Sequence, residues 1–537
     1  MRKKYITILF CLTLINSMSA QSTLIDPDTN PNVLPDNKYL GNDWILDFSD
    51  EFNDGVIDLK KWEIDNSQKT RSPRPDLGID EWYFKPQNID EKDGNFIVNI
   101  TKQADNIMYC GGIHGGKLYQ FQYGYAEARI KIADSSMGTH TAFWMQGPGQ
   151  KIVDGTCNDG AEIDIVESSE LDDRSHFTLY WDGYAPSPDA RIKGLRYWAP
   201  DLHDGEYHTF GFFWTENVMR VYYDGEYLRD YPNNQNVVQF TELQHIVRAP
   251  EYLWLSCGCT NNKHDGQWQI IKQNWAEAAV GSLLTQAKFD YVRVWKRKPT
   301  NNLVKNGDFQ EMHFTQGTSY WTADAGVQFD TKYDGNPNDG NAINSPSVRF
   351  TGNAADYPLS IYQDIAVVPN RKYKFSFTAR IANGAGASGT KPVVEAKFKG
   401  QIFKGESTEE EDKIFELITS SNENETLTGE FIVPDGVEKI RLRLMKEGYV
   451  AYLDDVELVE VFDATPSIEI SKEKILTIKN ISSSTKLSIV DPEGNVTDYP
   501  DGTNEASYDL NGKKIGSFSL KFTGGFSKTI YLNTSKK

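Results

Sequence analysis

Histidine and cysteine are scarce in this sequence, with 8 and 5 residues in 537. The histidines are scattered and no C-x-x-C pair occurs, which argues against a structural zinc site. Positive charge is also in deficit, because 56 Lys and Arg residues stand against 76 Asp and Glu and the formal net charge is −20. The basic footprint that nucleic-acid binding requires is therefore missing. After the first 20 residues, no apolar run is long enough for a transmembrane helix.

The first 20 residues have the pattern of a cleaved signal peptide. A basic start, Met1 to Lys4, precedes an apolar stretch, Tyr5 to Ile15, and small residues follow up to Ala20. We therefore predict that residues 1–20 are removed and that the protein is exported. Residues 21–38 are rich in Pro, Asn and Asp without periodicity, which predicts a linker or a wrapped N-terminal arm.

Four cysteines remain when Cys11 is removed with the signal peptide. An even number of cysteines in an exported protein predicts disulfides, and three connectivities are possible. A direct bond across the Cys-Gly-Cys stretch at 257–259 is disfavoured. The four residues are Cys110, Cys157, Cys257 and Cys259.

The length and the patterning predict an all-β protein of several domains. A chain of 537 residues exceeds the size at which one hydrophobic core keeps growing, so we expect two to four domains. From Trp44 onward, short apolar alternations such as 95–100 and 209–214 are separated by turn signals. The Asp-Gly pairs at 93–94 and 224–225 are typical hairpin turns. Repeated short strands of this kind indicate β-sandwiches.

One short stretch carries three carboxylates among apolar residues, Glu162-Ile-Asp-Ile-Val-Glu167. In a strand, Glu162 and Asp164 share a face, while Glu167 has the opposite parity. A single bulge would return Glu167 to the same face. Closely spaced carboxylates raise at least one pKa, and such a pair suits glycoside hydrolysis with retention. We therefore predict Glu162 as the nucleophile, Glu167 as the acid/base, and Asp164 as the residue that orients the nucleophile.

Several further stretches resemble glycoside hydrolase family 16. They are 123–132 (Tyr-Gly-Tyr-Ala-Glu-Ala-Arg-Ile-Lys-Ile), 138–145 (Gly-Thr-His-Thr-Ala-Phe-Trp-Met), 207–210 (Tyr-His-Thr-Phe) and 289–295 (Phe-Asp-Tyr-Val-Arg-Val-Trp). The resemblance covers residues 39–298 and implies a β-jelly-roll sandwich with a substrate cleft, a retaining endo-acting mechanism and the same three roles at 162, 164 and 167. The extra residue before Glu167 resembles the bulged branch of that family.

Other residues of this domain are candidate substrate contacts. Trp144 and Trp181 lie shortly before and after the triad and are predicted to flank the sugar, with core packing as the alternative. His176 is predicted to contact substrate hydroxyls or the acid/base carboxyl, with an ordinary hydrogen-bonded histidine as the alternative. Arg71 and Arg74 lie in a proline-rich loop and are candidates for paired hydrogen bonds to sulfate or carboxylate. Solvated surface charge is the alternative for both arginines.

The resemblance also implies a structural calcium ion, since Glu51, Gly94 and Asp290 correspond to positions that hold one in many members. Oxygen ligands suit calcium, and ordinary surface carboxylates are the alternative. We expect no cofactor for catalysis.

The rest of the chain predicts two further β modules. Residues 299–462, with Asn302-Leu-Val-Lys-Asn-Gly-Asp-Phe309 and Leu453-Asp-Asp-Val-Glu-Leu458, resemble carbohydrate-binding modules of families 4 and 9. Residues 463–537 resemble the C-terminal sorting domain of the type IX secretion route, which implies the type IX machinery as a partner. A further accessory sandwich is the alternative.

The phrases at 123–132 and 141–145 favour β-1,3-glucan of the laminarin type as the substrate. An endo-β-galactanase acting on agar, porphyran or carrageenan is the alternative, because His140 and Thr141 stand where laminarinases carry Trp-Pro and because the 181–184 phrase differs from theirs. A catalytically silent glycan-binding protein is a third hypothesis, which the three acids oppose. We expect a monomer whose partner is a polysaccharide.

Overall fold

A computed structural model describes most of the chain. The described residues are 24–234, 236–260, 267–313, 317–318, 320–330, 347–351, 358–381, 396–461, 467–470, 475–479, 481, 487–499, 505–511, 517–522 and 527–531. The predicted signal peptide, residues 1–20, lies outside them. The chain divides into two compact units, residues 1–298 and 299–537.

The first unit contains seventeen described strands and one described α-helix. The strands are β1 (Trp44–Asp50), β2 (Glu63–Ile64), β3 (Glu81–Phe84), β4 (Ile89–Glu91), β5 (Phe96–Ala104), β6 (Ile107–His114), β7 (Gly124–Lys131), β8 (Thr139–Gln146), β9 (Glu162–Ser168), β10 (Arg174–Trp181), β11 (Arg191–Trp198), β12 (His208–Trp214), β13 (Met219–Tyr223), β14 (Glu226–Tyr227), β15 (Gln239–Phe240), β16 (Tyr252–Cys259) and β17 (Leu283–Arg297). The helix α1 is Trp268–Glu277, and short 3-10 helices are Pro75–Leu77, Pro86–Asn88, Ser135–Met137 and Leu243–His245.

These strands form two packed layers that are antiparallel except for β3, which pairs with β6 in parallel. Sheet I has the order β2-β6-β16-β8-β9-β10-β11, and sheet II is built around β5, β17, β7, β12 and β13. Alternation directs one face of each strand into a shared core, for example Phe177 and Leu179 of β10 and Phe210 and Phe212 of β12. The other face of sheet I, which we call the open face, carries the polar residues described below.

The two predicted Asp-Gly turns are confirmed. Asp93 and Gly94 have φ values of 53° and 73°, and Asp224 and Gly225 have values of 49° and 71°. Positive φ at both central residues matches the right-handed twist of the flanking strands. The turns join β4 to β5 and β13 to β14.

The described part of the N-terminal segment, residues 24–38, packs on the sandwich as an arm. The indole of Trp295 donates to the Val33 carbonyl at 2.8 Å, and the Asp26 amide donates to Ser49 at 2.9 Å. These contacts hold Asp26 and Val33 against the strands of the first unit.

The cysteine prediction is wrong, because all four cysteines are buried and free. Burial raises the pKa of the Cys110 thiol well above its usual range. Buried in the core, they pack as small apolar residues instead of forming covalent links.

The second unit begins with a β-sandwich built on its own core. Its strands are β18 (Met312–His313), β19 (Gly317–Thr318), β20 (Thr322–Ala323), β21 (Val327–Asp330), β22 (Ser347–Phe350), β23 (Leu359–Ala366), β24 (Lys372–Ile381), β25 (Lys397–Lys404), β26 (Lys413–Thr419), β27 (Glu425–Ile432), β28 (Lys439–Glu447) and β29 (Ala451–Glu460), with a 3-10 helix at Glu410–Asp412. Two five-stranded sheets, β20-β23-β28-β25-β26 and β21-β22-β29-β24-β27, enclose residues such as Phe375 and Phe398.

Seven short strands follow in the C-terminal segment. They are β30 (Ser467–Ile470), β31 (Ile475–Lys479), β32 (Leu487–Val490), β33 (Val496–Asp498), β34 (Glu505–Asp509), β35 (Ser517–Phe522) and β36 (Ser527–Tyr531). A separate cluster that includes Leu476, Ile489 and Phe518 forms their core. The predicted all-β class, a jelly-roll sandwich followed by further β modules, is confirmed. Within the described residues, no helix has the length and apolarity needed to cross a membrane.

Candidate active site

The three carboxylates of β9 lie on the open face of sheet I. Glu162, Asp164 and Glu167 pair with Gln146, Trp144 and Ala142 of β8, which are spaced two residues apart. They also pair with Tyr180, Thr178 and His176 of β10, which have the same spacing. Two residues of β9, Ile165 and Val166, separate Asp164 from Glu167, whereas one residue separates their partners on β8 and on β10. Strand β9 therefore contains the extra residue that the sequence predicts. The irregularity brings all three acids to one face.

Burial and mutual repulsion perturb these acids. Burial raises the pKa of Glu162 to about 7, with the Glu167 charge adding to the rise and a hydrogen bond from Tyr184 and the Arg71 charge opposing it. Burial and the charges of Glu167 and Glu162 raise the pKa of Asp164 well above its usual value. The Oδ2 atom of Asp164 is buried and has no hydrogen-bond partner. The group can therefore hold a proton beside Glu162 and Glu167.

A relay of hydrogen bonds holds Glu162 in place. The Tyr184 hydroxyl donates to Glu162 Oε2 at 2.5 Å, the Gln146 amide donates to Tyr184 at 2.8 Å, and the Tyr252 hydroxyl donates to Gln146 at 2.9 Å. The chain turns directly after β10, where Asp182 and Gly183 take φ values of 58° and 93°. This turn brings Tyr184 to Glu162 of β9. This bond favours the charged form of Glu162, against the effect of burial, and fixes the orientation of the carboxylate.

His140 is the basic group beside Glu167, and sequence reasoning did not assign it a role. Its Nδ1 lies 3.2 Å from the Cys259 carbonyl, which only accepts, so Nδ1 carries the proton. Burial lowers the pKa of His140 and favours the neutral ring, whose Nε2 lone pair lies 3.7 Å from Glu167 Oε1. This distance is longer than a hydrogen bond, so the ring lies beside Glu167 without a direct bond to it.

The predicted aromatic contacts divide between the two faces of the sheet. Trp144 pairs with Asp164, stacks on Trp254 with ring centroids 4.7 Å apart, and donates to Ser256 at 3.0 Å. It lies on the face of the triad, and its contact with sugar stays a prediction. Trp181 lies on the core face with Leu179 and packs against His245. The prediction that it flanks the sugar is wrong, because its parity is opposite to that of Tyr180.

His176 stands opposite Glu167 in the register of β10 and β9. Its Nε2 lies 3.4 Å from Glu170. The residue is on the open face beside the acid/base candidate, and its role toward substrate stays a prediction.

The two loop arginines have different surroundings. The Arg71 guanidinium lies 4.9 Å from the Phe84 ring centroid and 5.6 Å from that of Trp82, and its side chain is 42% exposed. These rings cover sheet I where Gly258 leaves room, because a Cβ there would lie 2.9 Å from Trp82. The charge of Arg71 reaches the triad, since it lowers the pKa of Glu162. Arg71 therefore remains a candidate for hydrogen bonds to a sulfate or carboxylate group of the substrate.

Arg74 is a structural residue instead. It is buried, binds Asp76 at 2.7 Å and donates to the Thr260 carbonyl at 2.9 Å. The prediction that it contacts sulfate is wrong, because its guanidinium is committed to these groups.

The predicted calcium ligands do not fit a calcium ion. Both oxygens of Glu51 accept hydrogen bonds from Arg293 at 2.8 Å, and Asp290 is paired with Arg129. A cation would have to displace both arginines. Among the residues that the structure describes, no group of three or more acidic, histidine or cysteine side chains could hold a metal.

Comparisons with known proteins give two family matches. Residues 44–297 match the family model "Beta-porphyranase A-D, GH16 domain", and residues 301–448 match "Carbohydrate binding domain". A beta-porphyranase B of Phocaeicola plebeius is 24% identical over 228 residues, covering 35% of this chain and 68% of that protein. A kappa-carrageenase of Pseudoalteromonas carrageenovora is 24% identical over 323 residues, covering 54% and 72%. The solved catalytic domain of an endo-1,3-beta-glucanase (laminarinase) from Thermotoga petrophila has 22% identity and a TM-score of 0.35, covering 48% of this chain and 99% of that chain.

Proposed function

We propose, on the premise that this chain carries a glycoside hydrolase family 16 domain over residues 44–297 and a carbohydrate-binding domain over residues 301–448, that it is a retaining endo-β-galactanase. The chain is a glycosidase that acts on polysaccharides. The proposed substrate is an anionic galactan of the porphyran or carrageenan class. The observation that carries the reaction is the bulged strand β9, which presents Glu162, Asp164 and Glu167 on one face.

In the first step, an oxygen of Glu162 attacks the anomeric carbon of the sugar. The bond to the leaving oxygen breaks, and Glu167 gives that oxygen its proton, so a glycosyl ester on Glu162 and a free chain end result. In the second step, Glu167 takes a proton from water while the water oxygen attacks the anomeric carbon. The ester breaks, Glu162 regains its charge and Glu167 its proton. Two displacements at one carbon retain the β configuration.

The choice of galactan rests on Arg71 and on the family match. Arg71 lies over aromatic rings on the open face, 3.9 Å from Asp65, and its half-exposed fork can form paired hydrogen bonds with a sulfate ester. The matching family model is that of β-porphyranases. The β-1,3-glucan that the sequence phrases favour stays a prediction.

A panel of polymers tests the substrate. Laminarin, mixed-linkage glucan, agarose, porphyran and carrageenans are incubated with the protein, and products are separated by chromatography. We expect oligosaccharides from porphyran or a carrageenan and none from laminarin. Cleavage of laminarin alone would overturn the galactan proposal and leave the glycosidase intact.

Replacing Arg71 with glutamine should change the preference for charged substrate. Hydrogen bonds to charged groups contribute about 1.5–3 kcal/mol, so the ratio of kcat/KM on sulfated to desulfated polymer should fall about tenfold or more. The ratio is measured well above pH 7, because loss of Arg71 also raises the pKa of Glu162. Lys69→Gln, which removes an exposed cation from the same loop, is the control and should keep the ratio.

Replacing Tyr184 with phenylalanine should shift the pH profile. The Tyr184 hydrogen bond lowers the pKa of Glu162, so its loss raises that pKa and leaves less ionised nucleophile near neutral pH. The acidic limb of kcat/KM, expected near pH 7 in the parent, should move to higher pH, and activity should recover in alkaline buffer. A uniform loss of kcat at every pH would show that Tyr184 does not tune the nucleophile.

Asp164→Asn should lower kcat more than it raises KM. The residue lies between the two reacting acids and is proposed to stabilise the charge that changes during the reaction. Steady-state kinetics of the variant on the best polymer measure this split. A pure rise in KM would assign Asp164 to ground-state binding.

We also infer that the protein is exported and that its second unit attaches it to polymer. The carbohydrate-binding match supports attachment, which raises the local concentration of substrate. Residues 463–537 are proposed as the address of type IX secretion. Secretion assays with and without these residues test that role.

A further inference from the structure

The exposed strand β11 places a cation and an aromatic ring on the open face of sheet I. Residues that pair in antiparallel register share a face. Arg196 pairs with His176, which in turn pairs with Glu167, and Trp198 pairs with Arg174. Arg196 thus lies in the row of the acid/base candidate, two strands away, or about 10 Å at the usual strand spacing.

Trp198 forms a stacked pair with Tyr231, with ring centroids 5.9 Å apart and an angle of 26°. Both rings are 38% exposed, whereas the other tryptophans of sheet I, Trp144, Trp181 and Trp254, are 7% exposed each. The Tyr231 amide donates to the Arg196 carbonyl at 2.8 Å, which fixes the ring against the strand. An exposed, fixed aromatic surface of this kind suits the apolar face of a sugar.

Arg196 has no carboxylate partner within the described part of the chain. Its guanidinium lies 6.0 Å from the Tyr231 ring, while the neighbouring Arg174 is bound to Asp172 at 2.8 Å. Arg196 is exposed, so its donors are available to an anion on the open face.

We propose that Arg196, Trp198 and Tyr231 form a second anion-reading subsite, in which a sulfated sugar stacks on the aromatic pair and its sulfate binds Arg196. The inference rests on the proposed galactanase function. Arg71 lies over sheet I on the β16 side of β9, and Arg196 lies on the β11 side. The two cations therefore lie on opposite sides of the triad, and the enzyme binds sulfated sugar units on both sides of the bond that it cleaves.

The test compares variants on a sulfated galactan and on the same polymer after desulfation. Arg196→Gln should lower the ratio of kcat/KM on the two polymers about tenfold, as expected for loss of a charge-assisted hydrogen bond. Trp198→Ala should raise KM on both polymers, and Trp198→Phe should restore it in part. Lys193→Gln is the matched control, because it removes a cation from the opposite face of the same strand and should keep the ratio.

The outcomes separate this inference from the proposed function. If the parent cleaves no sulfated galactan, the galactanase proposal and this subsite both fail. If the parent cleaves it and Arg196→Gln keeps the parent ratio, the subsite alone is wrong. Equal losses on the two polymers would mean that Arg196 only supports the strand, and would also overturn the proposal.

Discussion

Replacing Glu162 with alanine is expected to lower kcat by at least about 10⁴-fold, since removing the nucleophile of a covalent mechanism leaves no route to the intermediate. Release of reducing ends from the best polymer measures the loss. Glu206→Ala, which removes an exposed glutamate distant in sequence from β9, is the control and should keep parent activity. Binding of polymer should persist in the Glu162 variant, because the aromatic and arginine contacts remain.

The same comparison tests whether the protein is an enzyme or a silent sugar-binding protein. A silent protein would bind polymer without releasing ends, and its Glu162 variant would behave like the parent. A rate for Glu162→Ala within tenfold of the parent rate would remove Glu162 from the mechanism.

Glu167→Ala is expected to lower kcat on polymer about 10²- to 10⁴-fold, which is the usual contribution of a general acid or base. The loss should be much smaller on aryl glycosides with a good leaving group, because departure of such a group requires no proton. The ratio of the parent and variant rates on the two substrate types measures the difference.

An equal loss on polymer and on activated glycosides would contradict the acid role. Glu170→Gln is a useful companion, because this neighbouring acid contacts His176 and Arg174 but is not one of the three acids of β9. It should show no dependence on the leaving group.

The sequence predicts the reacting strand well because the information is local. Alternation places Glu162 and Asp164 on one face, and the odd spacing of Glu167 requires a bulge, which the register of β9 contains. The isoleucines at 163 and 165 enter the core as their parity demands.

The predictions for Trp181 and Arg74 fail for different reasons. In β10, Trp181 has the parity of Phe177 and Leu179, so alternation itself places it in the core. The prediction followed its closeness to the triad in the sequence instead. Arg71 and Arg74 are three residues apart in one loop, but only Arg74 stands directly before the 3-10 turn Pro75–Leu77 and reaches the Thr260 carbonyl. A contact across 186 residues leaves no signal in the loop itself.

Tyr184 and His140 belong to the site, but the sequence assigned them no role. Both lie in stretches that differ from the laminarinase pattern, and this difference was the only signal for them in the sequence. Their roles depend on partners from other strands, Glu162 for Tyr184 and both Cys259 and Glu167 for His140. Such contacts require the register of sheet I, which a single sequence does not provide.

Trapping the covalent intermediate tests the central claim most directly. A 2-deoxy-2-fluoro glycoside with a good leaving group slows both displacements but slows hydrolysis of the ester more, so the ester accumulates. Peptide mass spectrometry of the trapped protein should place the sugar on Glu162, with no label in Glu162→Gln. A label on another residue, or turnover with inversion and no ester, would contradict the account.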